Sequence, residues 1–257
     1  MAVLSYYEKE KIMETGKVHS IESFAAVDGP GVRMAIFLQG CPQRCVYCHN
    51  PDTWQPTGGD EMTADALVKK AQRFRPYYKD NGGVTVSGGE PFMQAEFVGT
   101  LMKKLKEVNI HTAVDTCGFY LDDKVKAALE YVDLVLLDIK HSDKDGYKNI
   151  TKTEYERLIR FLDYMKETDQ PMWIRHVVVP GLTDSEDEVR AMCDMLRGAN
   201  VERIDLLPYH TLGVDKWHDL GIPYELEDVN PPEDETMKKL RAITEKFVED
   251  NMASRNK

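Results

Sequence analysis

Three cysteines fall within eight positions, Cys41-Pro-Gln-Arg-Cys45-Val-Tyr-Cys48, and this spacing implies chemistry before any fold is assigned. The thiolate is the metal-binding form of cysteine, and three crowded thiolates need a cation to neutralise them. Structural zinc takes four ligands, usually as two separated pairs. Here His49 is the obvious fourth donor, adjacent to Cys48, and the other two cysteines, Cys117 and Cys193, are solitary. A cubane four-iron four-sulfur (4Fe-4S) cluster fits better: three thiolates hold three irons and leave the fourth open to an exogenous ligand. A zinc-binding scaffold without enzymatic activity is the rival reading.

The elements that must position this loop are legible as β-rich runs alternating with helices. The runs are Met34 to Leu38, Val84 to Ser87, His111 to Asp115, Leu134 to Lys140, Trp173 to Val179 and Ile204 to Pro208. Between and after them, apolar residues recur at helical spacing: Leu67, Ala71, Phe74; Phe97, Leu101, Leu105; Leu158, Leu162, Met165; Val189, Met192, Leu196; Leu240, Ile243, Phe247. Val125, Ala128 and Val132 predict a shorter helix behind Asp122 and Asp123. The unbroken apolar run Leu134-Val135-Leu136-Leu137 reads as a parallel strand buried on both faces. Six βα units suit an open partial barrel or a doubly wound sheet. Two long irregular stretches, Asn50 to Asp60 and Thr211 to Pro232, have the character of loops that cover or build a site.

In a parallel barrel, function collects where strands end. The cysteine loop follows the first run, and the others lead into Ser87-Gly88-Gly89-Glu90-Pro91, Asp115-Thr116, Asp138-Ile139-Lys140, Arg175 with Pro180-Gly181, and Pro208-Tyr209-His210. Gly88-Gly89 can let backbone approach a ligand, and Lys140 and His210 can meet a carboxylate. Taken singly these are a tight turn, a solvated lysine and a satisfied loop histidine. Their coincidence at successive strand ends favours a site.

Composition narrows the remaining classes. At 257 residues one domain is expected over 1–257, with an N-terminal extension at 1–17 and a closing loop at 211–232. A net charge of -11 argues against nucleic acid, which is bound through basic patches. No apolar run approaches the ~20 residues of a membrane span. The start lacks a basic end followed by an apolar stretch, so a cytoplasmic location is expected.

From about Val18 to Phe247 the chain resembles the radical S-adenosylmethionine enzymes, most closely the activases of glycyl radical enzymes. The segments that carry the resemblance are the Cys-x3-Cys-x2-Cys loop, Asp28-Gly29-Pro30-Gly31-Val32-Arg33, Cys48-His49-Asn50-Pro51-Asp52-Thr53-Trp54, Ser87-Gly88-Gly89-Glu90, Trp173-Ile174-Arg175 and Leu206-Leu207-Pro208-Tyr209-His210. The resemblance implies an α/β fold, a partial (β/α)6 TIM-like barrel open on one side. It implies one 4Fe-4S cluster on Cys41, Cys45 and Cys48, and S-adenosyl-L-methionine as cofactor. Gly89 would contact the methionyl amine, Lys140 and His210 the carboxylate end, and Tyr47, Cys48 and His49 the adenine side, with Asp138 and Ile139 among the cofactor-binding positions. Asp115, Thr116, Asp138 and the Leu136 carbonyl would hold a monovalent cation, sodium or potassium. Asp28 would orient the entering peptide. For Arg175, a cofactor or peptide contact and a structural ion pair remain equal readings.

The absence of cysteine between Cys48 and Ser87 leaves no ferredoxin-like insert, which points to the pyruvate formate-lyase type of activase over other types. The partners implied are pyruvate formate-lyase, through its glycine-bearing loop, and a flavodoxin or ferredoxin electron donor, in anaerobic glucose fermentation. Cys117 and Cys193 read as small apolar residues.

Overall fold

The computed structural model describes residues 15–255. Numbered in chain order as β1 (Thr15–Ala25), β2 (Arg33–Leu38), β3 (Asp60–Thr63), β4 (Gly83–Gly88), β5 (His111–Thr116), β6 (Leu134–Asp138), β7 (Met172–Val178) and β8 (Val201–Pro208), the strands follow the order β3-β1-β2-β4-β5-β6-β7-β8, so the sheet ends at β3 and β8. The chain divides into two compact units, one ending at Cys41 and resuming over Thr53–Val135, the other comprising Pro42–Asp52 and the chain from Leu136 onward.

The first unit contains β1 (Thr15–Ala25), β2 (Arg33–Leu38), β3 (Asp60–Thr63), α1 (Ala64–Tyr78), β4 (Gly83–Gly88), α2 (Ala95–Glu107), β5 (His111–Thr116), α3 (Asp123–Leu129) and the start of β6 (Leu134–Asp138). β2, β4 and β5 pair in parallel, whereas β1 runs antiparallel to both β2 and β3. β1 and β3 are additions to the six runs legible in the sequence. β1 mixes buried and half-exposed positions and β3 is largely exposed, so neither makes a continuous apolar run. Residues 15–17 of the expected N-terminal extension begin β1, and 1–14 lie outside the described residues. The helix starts are set by side-chain caps: Thr63 accepts from the amide of Ala66, and Asp122 from those of Lys124 and Val125. α1 buries Leu67 and Ala71 of its expected set, with Val68 in addition, while Phe74 is only half-buried; α2 buries Phe97, Leu101 and Leu105, as their spacing predicts.

The second unit holds the rest of β6, α4 (Lys144–Thr151), α5 (Tyr155–Glu167), β7 (Met172–Val178), α6 (Glu186–Met195), β8 (Val201–Pro208), α7 (Val214–Asp219) and α8 (Asp234–Arg255). β7 and β8 pair in parallel. β6 stops at Asp138, two residues before the end expected, and β8 starts three residues earlier. Two short helices escaped the periodicity: α4, capped by Asp143, and α7, inside the 211–232 stretch. No described helix is long and apolar enough to cross a membrane.

α8 is fastened to the turn before β8 by one amide side chain. Asn251 Oδ1 accepts from the Gly198 amide at 3.0 Å, and its Nδ2 donates to the Ala199 carbonyl at 3.0 Å. Asn251→Ala removes both partners, and leaving such groups unpaired costs about 1–3 kcal/mol. Urea unfolding should therefore show a lower midpoint with an unchanged slope; an unchanged midpoint would mean that apolar packing alone holds α8.

Candidate active site

In the first unit, the end of β4 lies directly on the chain that leaves β2. The amides of Gly89 and Glu90 donate to the carbonyls of Leu38 (2.9 Å) and Gly40 (2.8 Å). Cys41 is fixed from the other side, its amide donating to the Trp54 carbonyl at 3.2 Å, while the Gly40 amide donates to Thr53 at 2.7 Å. A Cβ built on Gly89 would stand 2.2 Å from the Gly40 oxygen, and one on Gly88, at φ +119°, would stand 2.2 Å from the Leu38 nitrogen. Backbone packing therefore demands both glycines irrespective of any ligand, a reason the sequence did not disclose.

Glu90 continues this lock. Its fully buried carboxylate accepts from the Phe92 amide, the Thr116 hydroxyl (2.8 and 2.9 Å), the Cys117 amide (2.9 Å) and the Cys117 thiol (3.0 Å). Burial pushes the Glu90 pKa up, opposed by these donors. Cys117 is thus more than the small apolar residue expected, because its S–H meets a carboxylate. Asp115 accepts from the Ser87 hydroxyl at 2.8 Å, across the parallel β4–β5 pair.

The Asp28 loop is tied further back along β4. The Thr85 hydroxyl donates to the Asp28 carbonyl at 2.6 Å and accepts from Arg33 Nε at 2.5 Å. Arg33 is fully buried and also donates to the carbonyls of Val84 (2.6 Å) and Pro30 (3.2 Å); burial lowers its pKa to about 10. Thr85 precedes Gly89 by four residues, roughly 13 Å at the rise of a strand. The Asp28 backbone is therefore anchored at a separate level of the sheet from Gly89.

In the second unit, the rest of the cysteine loop rests on α4 and α7. The amides of Arg44 and Val46 donate to the carbonyls of Thr151 (2.9 Å) and Ile150 (3.1 Å), at the C-terminal end of α4. Trp217 on α7 donates its indole N–H to the Cys48 carbonyl at 2.8 Å. Lys216 donates to Asn50 Oδ1 (2.9 Å) and reaches the Asp52 carboxylate at 3.0 Å. Part of the stretch expected to close over the site is therefore a helix clamped to the loop that follows Cys48. Cys45 is buried, and burial pushes its thiol up to about 12.

The expected cofactor-side residues of this unit are Tyr47, His49, Asp138, Ile139, Lys140 and His210. Lys140 Nζ lies 2.8 Å from Asp138 Oδ2 and 5.8 Å from the Tyr47 ring centroid. Burial opposes both charges, but their attraction prevails, with Lys140 held well above its ordinary pKa and Asp138, also near Arg175, below. His49 stacks on His210 with ring centroids 4.0 Å apart. Burial, and then the His210 ring, push the His49 pKa down to about 4, so its imidazole is neutral at pH 7. The Tyr47 hydroxyl and His210 Nδ1 are buried and have no hydrogen-bond partner among the described residues. Such orphaned polar atoms suit a polar ligand.

The Ile139 amide donates to the Arg175 carbonyl at 2.9 Å, and His176 Nδ1 lies 2.7 Å from the Ile139 carbonyl. A buttress behind Lys140 was not legible in the sequence. Ser142 donates its amide and hydroxyl to the Glu188 carboxylate, each at 2.6 Å, and His141 Nδ1 lies 2.9 Å from Asp143 and 3.3 Å from Glu188. Asp143 could have been found as a helix cap; Glu188 reads as an ordinary acidic residue in the first turn of α6.

Trp217→Phe isolates the clamp, since it removes the indole donor and keeps an aromatic ring beside Tyr224. The expected cost is about 1 kcal/mol in urea unfolding, with faster iodoacetamide alkylation of Cys48 in metal-free protein. Alkylation at the wild-type rate would show that Lys216 and α4 hold the loop without it.

Residues 35–194 match the family model described as the radical SAM superfamily. The chain is 47% identical over 239 residues to a pyruvate formate-lyase-activating enzyme of Clostridium pasteurianum, covering 92% of this chain and 100% of the relative. Among solved structures it resembles a domain of pyruvate-formate lyase-activating enzyme from Bacteroides vulgatus, at 25% identity and TM-score 0.54, over 65% of this chain and 94% of that one. Streptococcus suis SuiB bound to precursor peptide SuiA shares the fold at 16% identity and TM-score 0.64, over 90% of this chain and 47% of that one. By these matches the chain belongs to the pyruvate formate-lyase-activating enzymes of the radical SAM superfamily.

Proposed function

We propose that the chain generates the glycyl radical of pyruvate formate-lyase, with Cys41, Cys45 and Cys48 as the protein ligands of a 4Fe-4S cluster. The observation that carries this reading is the cysteine loop itself. All three thiols are free of disulfides, the loop backbone is anchored at Cys41, Arg44, Val46 and Cys48, and burial opposes ionisation of Cys45. A loop that holds three disulfide-free thiols in place on one short stretch suits a bound cationic metal centre. Bound there, the cluster would supply the electron for reductive cleavage of S-adenosylmethionine, and the resulting 5'-deoxyadenosyl radical would take hydrogen from the glycine Cα.

The protein's part is holding and excluding. Gly89, Tyr47, His49, Ile139 and His210 bind the cofactor, with Lys140 and His210 meeting its carboxylate. Lys140 is kept charged by Asp138, so it arrives as a cation despite its burial. Asp115, Thr116, the Leu136 carbonyl and Asp138 are assigned to a monovalent cation, sodium or potassium; their oxygens are the donors a hard cation takes. The Thr116 hydroxyl is already engaged with Glu90. Asp28 orients the glycine loop of the partner, and a flavodoxin or ferredoxin delivers the electron.

The decisive experiment is anaerobic incubation of the iron-sulfide-reconstituted chain with S-adenosylmethionine, a chemical reductant and pyruvate formate-lyase, read by electron paramagnetic resonance. A glycyl radical is expected. Cys41→Ala, Cys45→Ala and Cys48→Ala should each lose bound iron and acid-labile sulfide, whereas Cys193→Ala should keep them. Colourless wild-type protein with stoichiometric zinc would establish the scaffold reading instead.

The cation assignment has its own test. Asp138→Ala should weaken S-adenosylmethionine binding and make the rate indifferent to exchange of sodium for potassium. An undiminished response to the exchange, with only stability lowered, would remove Asp138 from the ligand set.

A further inference from the structure

One face of α1 carries charge and aromatic surface that neither the fold nor the proposed chemistry uses. Lys69, Arg73 and Tyr77 follow one another at i, i+4 and i+8, and Lys70 and Phe74 form the adjacent row at i and i+4, so the five share a continuous surface. No carboxylate pairs with Lys69, Lys70 or Arg73 among the described residues. Three uncompensated cations within about one and a half helical turns are a local inversion in a chain of net charge -11. Phe24, near the end of β1, adds to this face. Its ring meets Phe74 edge-on at 5.4 Å and Tyr77 at 4.9 Å, yet Phe24 remains 52% and Tyr77 53% exposed. Aromatics left that open are typical of an interaction surface, with the basic residues beside them forming its polar rim.

The patch is continuous with the Asp28 loop. The chain passes from Phe24 through Val27, which is 75% exposed, to Asp28 and Arg33. The far side of that loop lies against the turn after α1, where the Gly83 amide donates to the Val32 carbonyl at 3.3 Å and the Gly82 amide to Tyr78 at 2.7 Å. A Cβ on Gly31 would stand 2.7 Å from the Gly82 nitrogen. A macromolecule whose glycine loop is received at Asp28 would therefore have its flanking surface laid on this face.

We infer that the α1 face formed by Phe24, Lys69, Lys70, Arg73, Phe74 and Tyr77 docks the protein substrate, pyruvate formate-lyase, through an acidic segment of its surface bearing apolar side chains. The inference rests on the activase reading given above. Charge complementarity selects an acidic occupant, and the exposed rings require apolar contact with it. Opposite potentials across an interface chiefly raise the association rate and decline with salt, whereas buried rings slow dissociation.

The test compares the reconstituted wild-type chain with two variants, Lys69→Glu/Lys70→Glu/Arg73→Glu and Phe24→Ser/Tyr77→Ser. Binding of pyruvate formate-lyase is measured by biolayer interferometry at low salt and at ~0.5 M salt, where the Debye length is only a few ångströms. Radical formation is measured with a chemical reductant on whole pyruvate formate-lyase and on a short peptide carrying its radical-site glycine. The charge-reversed variant should weaken binding and raise KM for the whole protein by about tenfold at low salt, with the gap closing at high salt. The aromatic variant should weaken binding at both salts. Peptide turnover and 5'-deoxyadenosine formation should stay within about twofold of wild type, since none of these residues touches cofactor or glycine.

Unchanged binding in both variants would overturn the inference. So would a loss seen only when a flavodoxin replaces the chemical reductant, which would make the face a donor surface, or a loss that follows a change in the chain's own association state by sedimentation. Deleting residues 1–13, which contain Glu8 and Glu10, must leave the difference between variant and wild type in place; its disappearance would assign the face to the chain's own N-terminal segment. Absence of any glycyl radical with the wild-type chain would sink the activase reading alone, because the binding measurements read the docking face without it.

Discussion

The contact on which the first unit's site depends is the pair of backbone hydrogen bonds that seat Gly89 and Glu90 on the carbonyls of Leu38 and Gly40. They bring two chain segments to a separation with no room for a Cβ at 88 or 89. The turn after β4 thereby fixes the residue before Cys41 and, in the same stroke, sends the Glu90 carboxylate inward to collect donors from the end of β5. The ends of three parallel strands are joined through one buried acid, so the polar groups there are positioned by the sheet rather than by flexible loop.

A different device operates in the second unit. There the cysteine loop has little regular structure of its own and borrows order from neighbours, by backbone bonds to α4 and side-chain bonds from α7. Lys140 is likewise held by its surroundings, paired to Asp138 and lying 5.8 Å from the Tyr47 ring centroid. Burial would penalise either charge alone, and the pair is retained because each offsets the other's desolvation.

Much of this was legible in the sequence where the physical signal is local and repetitive. β2, β4 and β6 are buried on both faces, so they appear as near-continuous apolar runs, and five helices announce themselves by the spacing of residues such as Leu101 and Leu105 or Met192 and Leu196. The three-cysteine spacing is equally local. What escaped is what depends on partners far along the chain. β1 and β3 never make a continuous apolar run, α4 and α7 are too short for periodicity to register, and the acceptors of Glu90 and Glu188 lie 26 and 46 residues from their donors. Arg33 is the clearest case, a basic residue that any composition argument places at the surface and that the fold buries completely around Thr85.

Two tryptophans are bonded to the cysteine loop, Trp217 through its indole and Trp54 through its backbone, and this carries a spectroscopic meaning. The chain has three tryptophans. Trp54 receives the Cys41 amide at its carbonyl and Trp217 gives its N–H to Cys48, while Trp173 stands apart with Glu202 and Arg203. Intrinsic emission from this protein is therefore weighted toward the cysteine loop. Its colour and intensity register the filling and emptying of that loop before they register unfolding of the sheet, which makes unlabelled fluorescence a clock for the assembly of the metal centre.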